Sequence, residues 1–230
     1  MPVTVESKNG VPAAERDRRI ASPAGQRLVA AARESIRERG VAGTTFDRIA
    51  PEAGVSRGSI AWYFGTKERL LAEVLRSDSD RRLELMRDRL EPAASSEEMI
   101  FAFGDLLGEF LDENRGPQVV LGEMASLALR HETIRATQTE LRRRWRRELG
   151  RVLEDKVEQG VIGLPGSPEG TASLLTALAQ GMAIETISDP EWDVRKAIEQ
   201  AAVAARALLG GRAVARRLDP RGARRLVDAP

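Results

Sequence analysis

Apolar side chains recur every three to four positions along most of this 230-residue chain, from Ser22 to Gly211. This spacing places them on one face of a helix. Strand signals are almost missing, because the sequence has a single tyrosine and no run of alternating β-branched residues closed by hairpin turns. The pattern therefore predicts an all-α fold.

Helix start and stop signals divide this pattern into about nine helices. Ser22-Pro23 is a start signal, since serine caps a helix and proline fits its first turn. We predict a disordered arm over residues 1–21, a three-helix domain over 22–66, a helical bundle over 67–210 and a basic disordered tail over 211–230. The helix that begins near Thr66 connects the two domains without an obvious linker, so we expect them to be mechanically coupled.

The composition excludes several classes of chemistry. The chain has no cysteine and one histidine, His131, which excludes a disulfide framework, thiol catalysis and zinc sites built from cysteine or several histidines. We expect no metal, no cofactor and no catalytic residues. An enzyme on a helical scaffold is the alternative, and it would have to use His131.

The sequence also carries no membrane or export signal. No apolar run reaches the roughly 18 residues that span a bilayer, and the N-terminus lacks the apolar segment of a secretion signal. We expect a cytoplasmic protein with no membrane contact.

Basic charge is concentrated at the two ends of the chain. Residues 1–65 carry 10 basic and 7 acidic side chains, residues 66–210 carry 20 and 26, and residues 211–230 carry 6 and 2. The ends are therefore suited to face a polyanion, whereas the middle is not.

The segment Thr45–Gly65 has the spacing of two short helices that cross at a turn. Ile49 and Ala50 form the inward face of the first helix, and Ile60 and Phe64 that of the second. Gly54 lies between them, where a positive φ suits glycine. This arrangement, with its motif at 45–64, predicts a helix-turn-helix whose second helix lies in the major groove of DNA.

The predicted DNA contacts come from the starts of these helices and from the outward face of the second one. Helix starts offer free N–H groups to phosphates, and outward side chains of the second helix reach bases, sugars and phosphates. The candidates are Thr44, Thr45, Arg48, Ser56, Arg57, Gly58, Ser59, Trp62, Tyr63 and Lys67.

These residues resemble a known family. Residues 27–75 are similar to the DNA-binding domain of the TetR family of bacterial transcriptional regulators, through the pattern Gly-x-x-x-Thr-Thr at 40–45, Ile-Ala-x-Glu-Ala-Gly-Val-Ser at 49–56, Tyr63-Phe64 and Lys-Glu-x-Leu-Leu at 67–71. The resemblance implies a homodimeric repressor that binds a palindromic operator and releases it when a small molecule of unknown identity binds. Residues 131–188 faintly resemble the choline-responsive branch of the family.

Two positions depart from the family pattern. Ala61 stands where family members usually carry a tyrosine that touches phosphate, and Trp62 is the candidate to replace it. Pro51 lies inside the first short helix and removes one backbone hydrogen bond, so we expect a slight bend there.

Large apolar side chains on the bundle helices are candidates for an effector cavity. Aromatic and methionine side chains suit an apolar or amphipathic small molecule, and ordinary core packing is the alternative. The candidates are Phe103, Phe110, Met124, His131, Trp145 and Met182. The arginine run 142–147 is spread around its helix, so we expect it to pair with acidic neighbours, and an anionic effector is the alternative.

The last two helices, near 168–188 and 191–210, carry many small and apolar residues. The resemblance implies that they form the interface of a homodimer. A helical architectural protein that binds DNA without an effector is the alternative function.

Overall fold

The computed structural model describes residues 13–111 and 116–209, and within those ranges it contains ten helices and no strand. The all-α fold is therefore confirmed. The helices are α1 (Ala13–Ile20), α2 (Pro23–Gly43), α3 (Phe46–Glu52), α4 (Arg57–Phe64), α5 (Lys67–Leu90), α6 (Ser96–Phe110), α7 (Gly116–Ala128), α8 (Glu132–Glu158), α9 (Pro168–Ser188) and α10 (Val194–Leu209). Residues 1–12 of the predicted arm and the predicted tail at 211–230 lie outside the described residues.

Side-chain caps fix where five of the described helices begin. The capping hydroxyl oxygen in each accepts a hydrogen bond from the N–H group three residues further on, at 3.0–3.3 Å. Each bond satisfies a donor that the first turn of a helix leaves without a backbone partner. The capping residues are Ser22, Ser56, Thr66, Ser95 and Ser167. The start signals in the sequence therefore place these helices correctly.

The helix α1 corrects the predicted arm, because disorder is wrong for residues 13–20. Ile20 is buried against the neighbouring helices, and its carbonyl oxygen accepts a hydrogen bond from Gln26 Nε2 at 3.0 Å. The guanidinium carbon of Arg19 lies 4.0 Å from the centre of the Trp62 ring on α4. One apolar anchor and one cation–π contact thus hold α1 against the second helix of the motif.

Buried apolar side chains form two clusters, which we call the N-terminal core and the bundle core. The N-terminal core contains Ile20, Leu28, Val29, Ala32, Ile36, Val41, Ile49, Ala50, Ile60, Phe64, Leu70, Leu71, Val74, Leu75, Met124, Ile134 and Leu141. The bundle core is built mainly from the second half of α5 together with α6, α8, α9 and α10.

Two helices, α5 and α8, contribute buried residues to both cores. The first turns of α5 pack into the N-terminal core through Leu70–Leu75, and its last turns pack into the bundle core through Leu83–Leu90. Met124 on α7 and Ile134 on α8 also enter the N-terminal core. The bundle core is thus in contact, through α5 and α8, with the N-terminal core that contains the buried faces of α3 and α4.

Within the described ranges, none of the helices combines the length and the apolar character that a bilayer crossing requires.

Candidate nucleic-acid interface and effector cavity

The two helices of the motif meet at the predicted turn. Gly54 has φ +66°, in the left-handed region that favours glycine. Ile49, Ala50, Ile60 and Phe64 are all buried, which confirms the inward faces of α3 and α4. The helix α3 ends one residue after Pro51, so the missing N–H falls in its last turn.

The outward face of α4 is exposed over its whole length. Arg57, Gly58, Ala61 and Trp62 are exposed and lie at the spacing i, i+1, i+4 and i+5, on the side away from the buried Ile60. Arg57 Nε lies 3.4 Å from the carboxylate of Asp47 on α3, and both side chains are about two-thirds exposed. Such a pair contributes little stability, so Arg57 is available to another partner.

The cap of α4 links two of the predicted contacts. Ser56 Oγ accepts a hydrogen bond from the Ser59 N–H at 3.0 Å, and the two hydroxyl oxygens are 2.9 Å apart. Both hydroxyls thus lie at the start of α4, with Arg57 and Gly58 between them in sequence.

The fold itself gives no reason for glycine at position 58. A Cβ built there would lie 3.6 Å from Ser56 Oγ, which is ordinary contact, and its φ is not in the left-handed region. Glycine inside a helix costs about 1 kcal/mol relative to alanine. The sequence therefore keeps an unfavourable residue on the exposed face, where the absence of a side chain lets another molecule approach the backbone.

Thr44 and Thr45 differ in the structure. Thr44 is fully buried, its hydroxyl donates to the Gly40 carbonyl at 2.9 Å, and its N–H donates to the Val41 carbonyl at 3.3 Å. We therefore remove Thr44 from the candidate contacts, because both of its donors are used inside the protein. Thr45 is exposed at the start of α3, and its hydroxyl does not cap that helix.

Two basic candidates make contacts to the backbone near the end of α2. Lys67 Nζ donates to the Val41 carbonyl at 2.6 Å, and one Arg48 nitrogen donates to the Gly43 carbonyl at 3.1 Å. Burial lowers the pKa of Lys67, while Glu68 and Glu123 act in the opposite direction. One of the three ammonium donors of Lys67 is thus used to position the segment that leads into α3.

The aromatic candidates are held by their neighbours. Trp62 is 57% exposed and meets Tyr63 edge to face, with the ring centres 5.0 Å apart. Arg19 covers one face of the Trp62 ring. Tyr63 is half-buried against the N-terminal core, so Trp62 is the aromatic side chain that projects furthest from the motif.

Glu123 on α7 is a part of this site that was not among the residues predicted from the sequence. Its carboxylate on α7 accepts a hydrogen bond from the Val41 N–H at 2.5 Å, beside Gly40, whose φ is +69°. The positive φ favours glycine there, and a Cβ at position 40 would lie 2.7 Å from the Glu123 carboxylate, which would have to shift away from Val41. Since the two partners are 82 positions apart, no local pattern points to this bond.

Three of the six effector candidates line one small apolar cavity. Its volume is about 20 Å³, and it lies between α6, α8 and α9. The lining residues are Phe103, Leu106, Leu107, Phe110, Trp145, Leu149, Leu175, Thr176 and Ala179. The Phe110 and Trp145 rings have their centres 5.5 Å apart.

The other three candidates lie elsewhere. Met124 is buried in the N-terminal core, and Met182 is buried in the bundle core without lining the cavity. His131 stands at the start of α8 with 40% of its side chain exposed, and its Nδ1 lies 3.9 Å from the carboxylate of Glu68. We therefore remove these three from the proposed cavity.

Two family models match the chain. Residues 28–74 match the model of bacterial regulatory proteins of the tetR family, and residues 96–210 match the C-terminal model of BetI-type transcriptional repressors. The second model alone covers half of the chain. The two matches fall on the helices around the motif and on the bundle, respectively.

Curated relatives match over a third of the chain or less. The HTH-type transcriptional regulator TtgR of Pseudomonas putida is 38% identical over 77 residues, which is 34% of either chain. The HTH-type transcriptional regulator SrpR of the same species is 44% identical over 52 residues, 23% of this chain and 24% of its own. The matched segments thus span about a third or less of these relatives.

Solved structures match over most of the chain. A TetR transcription regulator from Haloarcula marismortui ATCC 43049 is 26% identical with a TM-score of 0.67, over 80% of this chain and 97% of its own. A transcriptional regulator from Saccharomonospora viridis, solved in complex with choline, is 21% identical with a TM-score of 0.65, over 79% and 94%. At that identity the second likeness shows the fold alone.

Proposed function

The chain belongs to the TetR family of bacterial regulatory proteins and is a DNA-binding regulator of transcription, not an enzyme, and from this premise we propose a more specific function. It is a cytoplasmic homodimeric repressor that binds a palindromic operator and releases it when a small molecule binds. The DNA-binding domain is residues 22–66, and the effector-binding and dimerisation domain is residues 67–210.

The observation that carries this proposal is the exposed face of α4. Arg57, Gly58 and Trp62 project from a helix whose opposite side is fixed in the N-terminal core by Ile60 and Phe64. A rigidly held helix with arginine at its N-terminal end suits the major groove, where arginine reads guanine. The adjacent glycine has no side chain, so the helix backbone can approach the base edges closely. The phosphate contacts beside it are Thr45, Arg48 and Lys67.

The exposed faces of α9 and α10 support a homodimer. Leu174, Ala177, Gly181 and Ile184 are exposed on α9 at helical spacing, and Val203 is 62% exposed on α10. The buried apolar residues of the same helices already fill the bundle core of the protomer. An additional apolar stripe on two adjacent helices is typical of a surface that a second copy covers.

Selection from a randomised DNA duplex pool at fixed salt tests the function. A dimer whose two copies of α4 lie about 34–36 Å apart is expected to enrich a palindrome. Arg57→Ala is expected to change the enriched bases, whereas Lys67→Ala weakens all sequences about equally. Bound DNA with no shared sequence contradicts the proposal.

Two contacts at Val41 support control of the motif by the bundle. The bond from the Val41 N–H to Glu123 joins α7 to the segment between α2 and α3. Lys67, at the start of α5, holds the carbonyl group of the same residue. Side chains of α7 and α5 thus bind the N–H and the carbonyl group of Val41, and we expect a shift of either helix to displace the start of α3.

We expect Glu123→Ala to loosen this link. The Val41 N–H would lose its acceptor in a half-buried position, which costs about 1–3 kcal/mol. Chemical denaturation is expected to show that loss, and hydrogen exchange of the Val41 amide is expected to accelerate. Glu123→Gln keeps an acceptor oxygen and serves as the matched control. Unchanged exchange in the alanine variant would show that the contact does not hold this segment.

Gly58→Ala is expected to affect stability and DNA binding in opposite directions. Because a Cβ fits at this position, alanine removes the helix penalty of glycine and raises the free energy of unfolding by about 0.5–1 kcal/mol. The added methyl group faces the DNA, so operator affinity is expected to fall. Thermal unfolding and operator titration measure the two effects, and retained affinity would place Gly58 outside the interface.

The cavity bears on the alternative function. A volume of about 20 Å³ is smaller than any effector, which favours an architectural DNA-binding protein that has no ligand. The aromatic lining and the direct link from α7 to Val41 favour a regulator whose cavity opens when ligand binds. Operator binding that no small molecule changes would support the architectural function.

A further inference from the structure

The arginines of α5 between residues 76 and 89 have acidic partners, with one exception among the described residues. Arg76, Arg81, Arg87 and Arg89 pair with Glu73, Asp78, Glu148 and Glu109, respectively. Arg82 has no carboxylate oxygen within 4 Å in the part of the chain that the structure describes. Asp78, one turn earlier on the helix, lies 2.6 Å from Arg33 Nε instead.

The surroundings of Arg82 are unfavourable for a cation that has no direct ion pair. Its side chain is half-buried, and burial lowers the pKa of its guanidinium group, while the charge of Asp78 acts in the opposite direction. A desolvated charge without a close counter-charge is unfavourable, so such a group gains from any anion that reaches it. The guanidinium carbon of Arg82 lies over the face of Phe110, 5.5 Å from the ring centre.

The same Phe110 ring lines the apolar cavity between α6, α8 and α9. The Arg82 guanidinium group and the cavity thus both border the ring of Phe110. The cavity wall itself is apolar, and its one hydroxyl, that of Thr176, already donates to the Ala172 carbonyl at 2.7 Å. A molecule that binds both the apolar cavity and the Arg82 guanidinium group needs an apolar body and an anionic head group.

We propose that the effector is an organic anion whose apolar body enters the cavity beside Phe110 and Trp145 and whose carboxylate or similar head group binds Arg82. This inference rests on the proposed function, since it names the class of the small molecule. The two rings move apart as the body enters, because the closed cavity is too small for it. That movement displaces α6 and α8, and α8 reaches the N-terminal core.

The same geometry disfavours a cationic effector. Among the described residues that line the cavity, none has an acidic side chain. Glu123, on α7, is committed to the Val41 N–H. An aromatic face could bind a quaternary ammonium group, but Arg82 already lies over Phe110 and would repel it.

Three probes with the same chain and different head groups test the proposal: octanoate, 1-octanol and octyltrimethylammonium. Isothermal titration calorimetry with the full-length protein is expected to show octanoate binding at least about tenfold more tightly than either of the others, as a charge-assisted hydrogen bond predicts. 2-Naphthoate and 2-naphthylmethanol, titrated in the same way, show whether the body is a chain or a flat ring.

Variants locate the binding group. Arg82→Gln is expected to weaken octanoate binding at least about tenfold and to leave 1-octanol binding unchanged. Arg81→Gln changes the adjacent, exposed arginine and is expected to leave both affinities unchanged. Thermal unfolding of each variant without ligand checks that the fold is retained.

The outcomes separate this inference from the proposed function. Tighter binding of octyltrimethylammonium, octanoate affinity that Arg82→Gln leaves unchanged, or no binding of either carboxylate would overturn the anion assignment. None of these results bears on the outcome of the DNA selection, which tests operator binding independently of the effector. A failed selection with Arg82-dependent octanoate binding would instead overturn the repressor and retain the anion site.

Discussion

Replacing Phe64 by alanine is expected to lower the free energy of unfolding by about 3–5 kcal/mol, the range for deleting a buried aromatic side chain. Phe64 ends α4 and is completely buried in the N-terminal core. Its loss leaves a cavity under the DNA-facing helix, which can then shift or fray. We expect operator affinity to fall at least about tenfold, or about 1.4 kcal/mol, even at temperatures where the variant is folded.

Phe103→Ala is the matched control for this prediction. It deletes the same side chain from the bundle core, where Phe103 is 5% exposed, so a similar loss of stability is expected. Operator affinity should stay within about threefold of the wild type, since the N-terminal core is intact. Equal losses of affinity in both variants, measured well below their unfolding temperatures, would show that the two cores do not act separately.

Local pattern was sufficient to predict the motif and most of the helix starts. Gly54, Ile60 and Phe64 are within a few residues of one another, and their spacing alone fixes which side of each helix is buried. The caps at the starts of α2, α5, α6 and α9 are likewise short-range features. These parts could be predicted because the forces that determine them act within one or two helical turns.

The parts that the sequence did not predict depend on contacts between distant residues. The Glu123 bond to Val41 joins residues 82 positions apart. Thr44 resembles a helix-start residue, but the packing of α2 buries it. Met124 and Trp145 both fit the apolar periodicity of their helices, so the sequence treats them alike. Tertiary packing places Met124 in the N-terminal core and Trp145 at the cavity.

The helix α1 is a further case of the same kind. The stretch 13–20 contains one strong apolar residue, Ile20, and a run of charged side chains, which by themselves favour a solvated arm. Its helix depends on partners elsewhere in the chain, since Arg19 lies over the Trp62 ring of α4. A short segment whose order comes from such contacts gives no periodic signal of its own.

The largest effect on function is expected from Leu174→Glu on α9. Leu174 is 53% exposed in the protomer, so the substitution leaves the bundle core unchanged. In the proposed dimer it would bury a carboxylate in each copy against an apolar surface, which is strongly unfavourable. Sedimentation is expected to show a species of 25.2 kDa, the mass of one chain, in place of the dimer.

Loss of the dimer is expected to reduce operator affinity at least about 100-fold, because the second half-site then no longer binds intramolecularly. Leu129→Glu is the matched control, since Leu129 is 86% exposed and follows the last residue of α7, outside the two helices of the proposed interface. It should keep the mass and the affinity of the wild type. A Leu174→Glu protein that remains dimeric would place the interface on another face, whereas a monomer with full affinity would mean that one copy of α4 is sufficient for recognition.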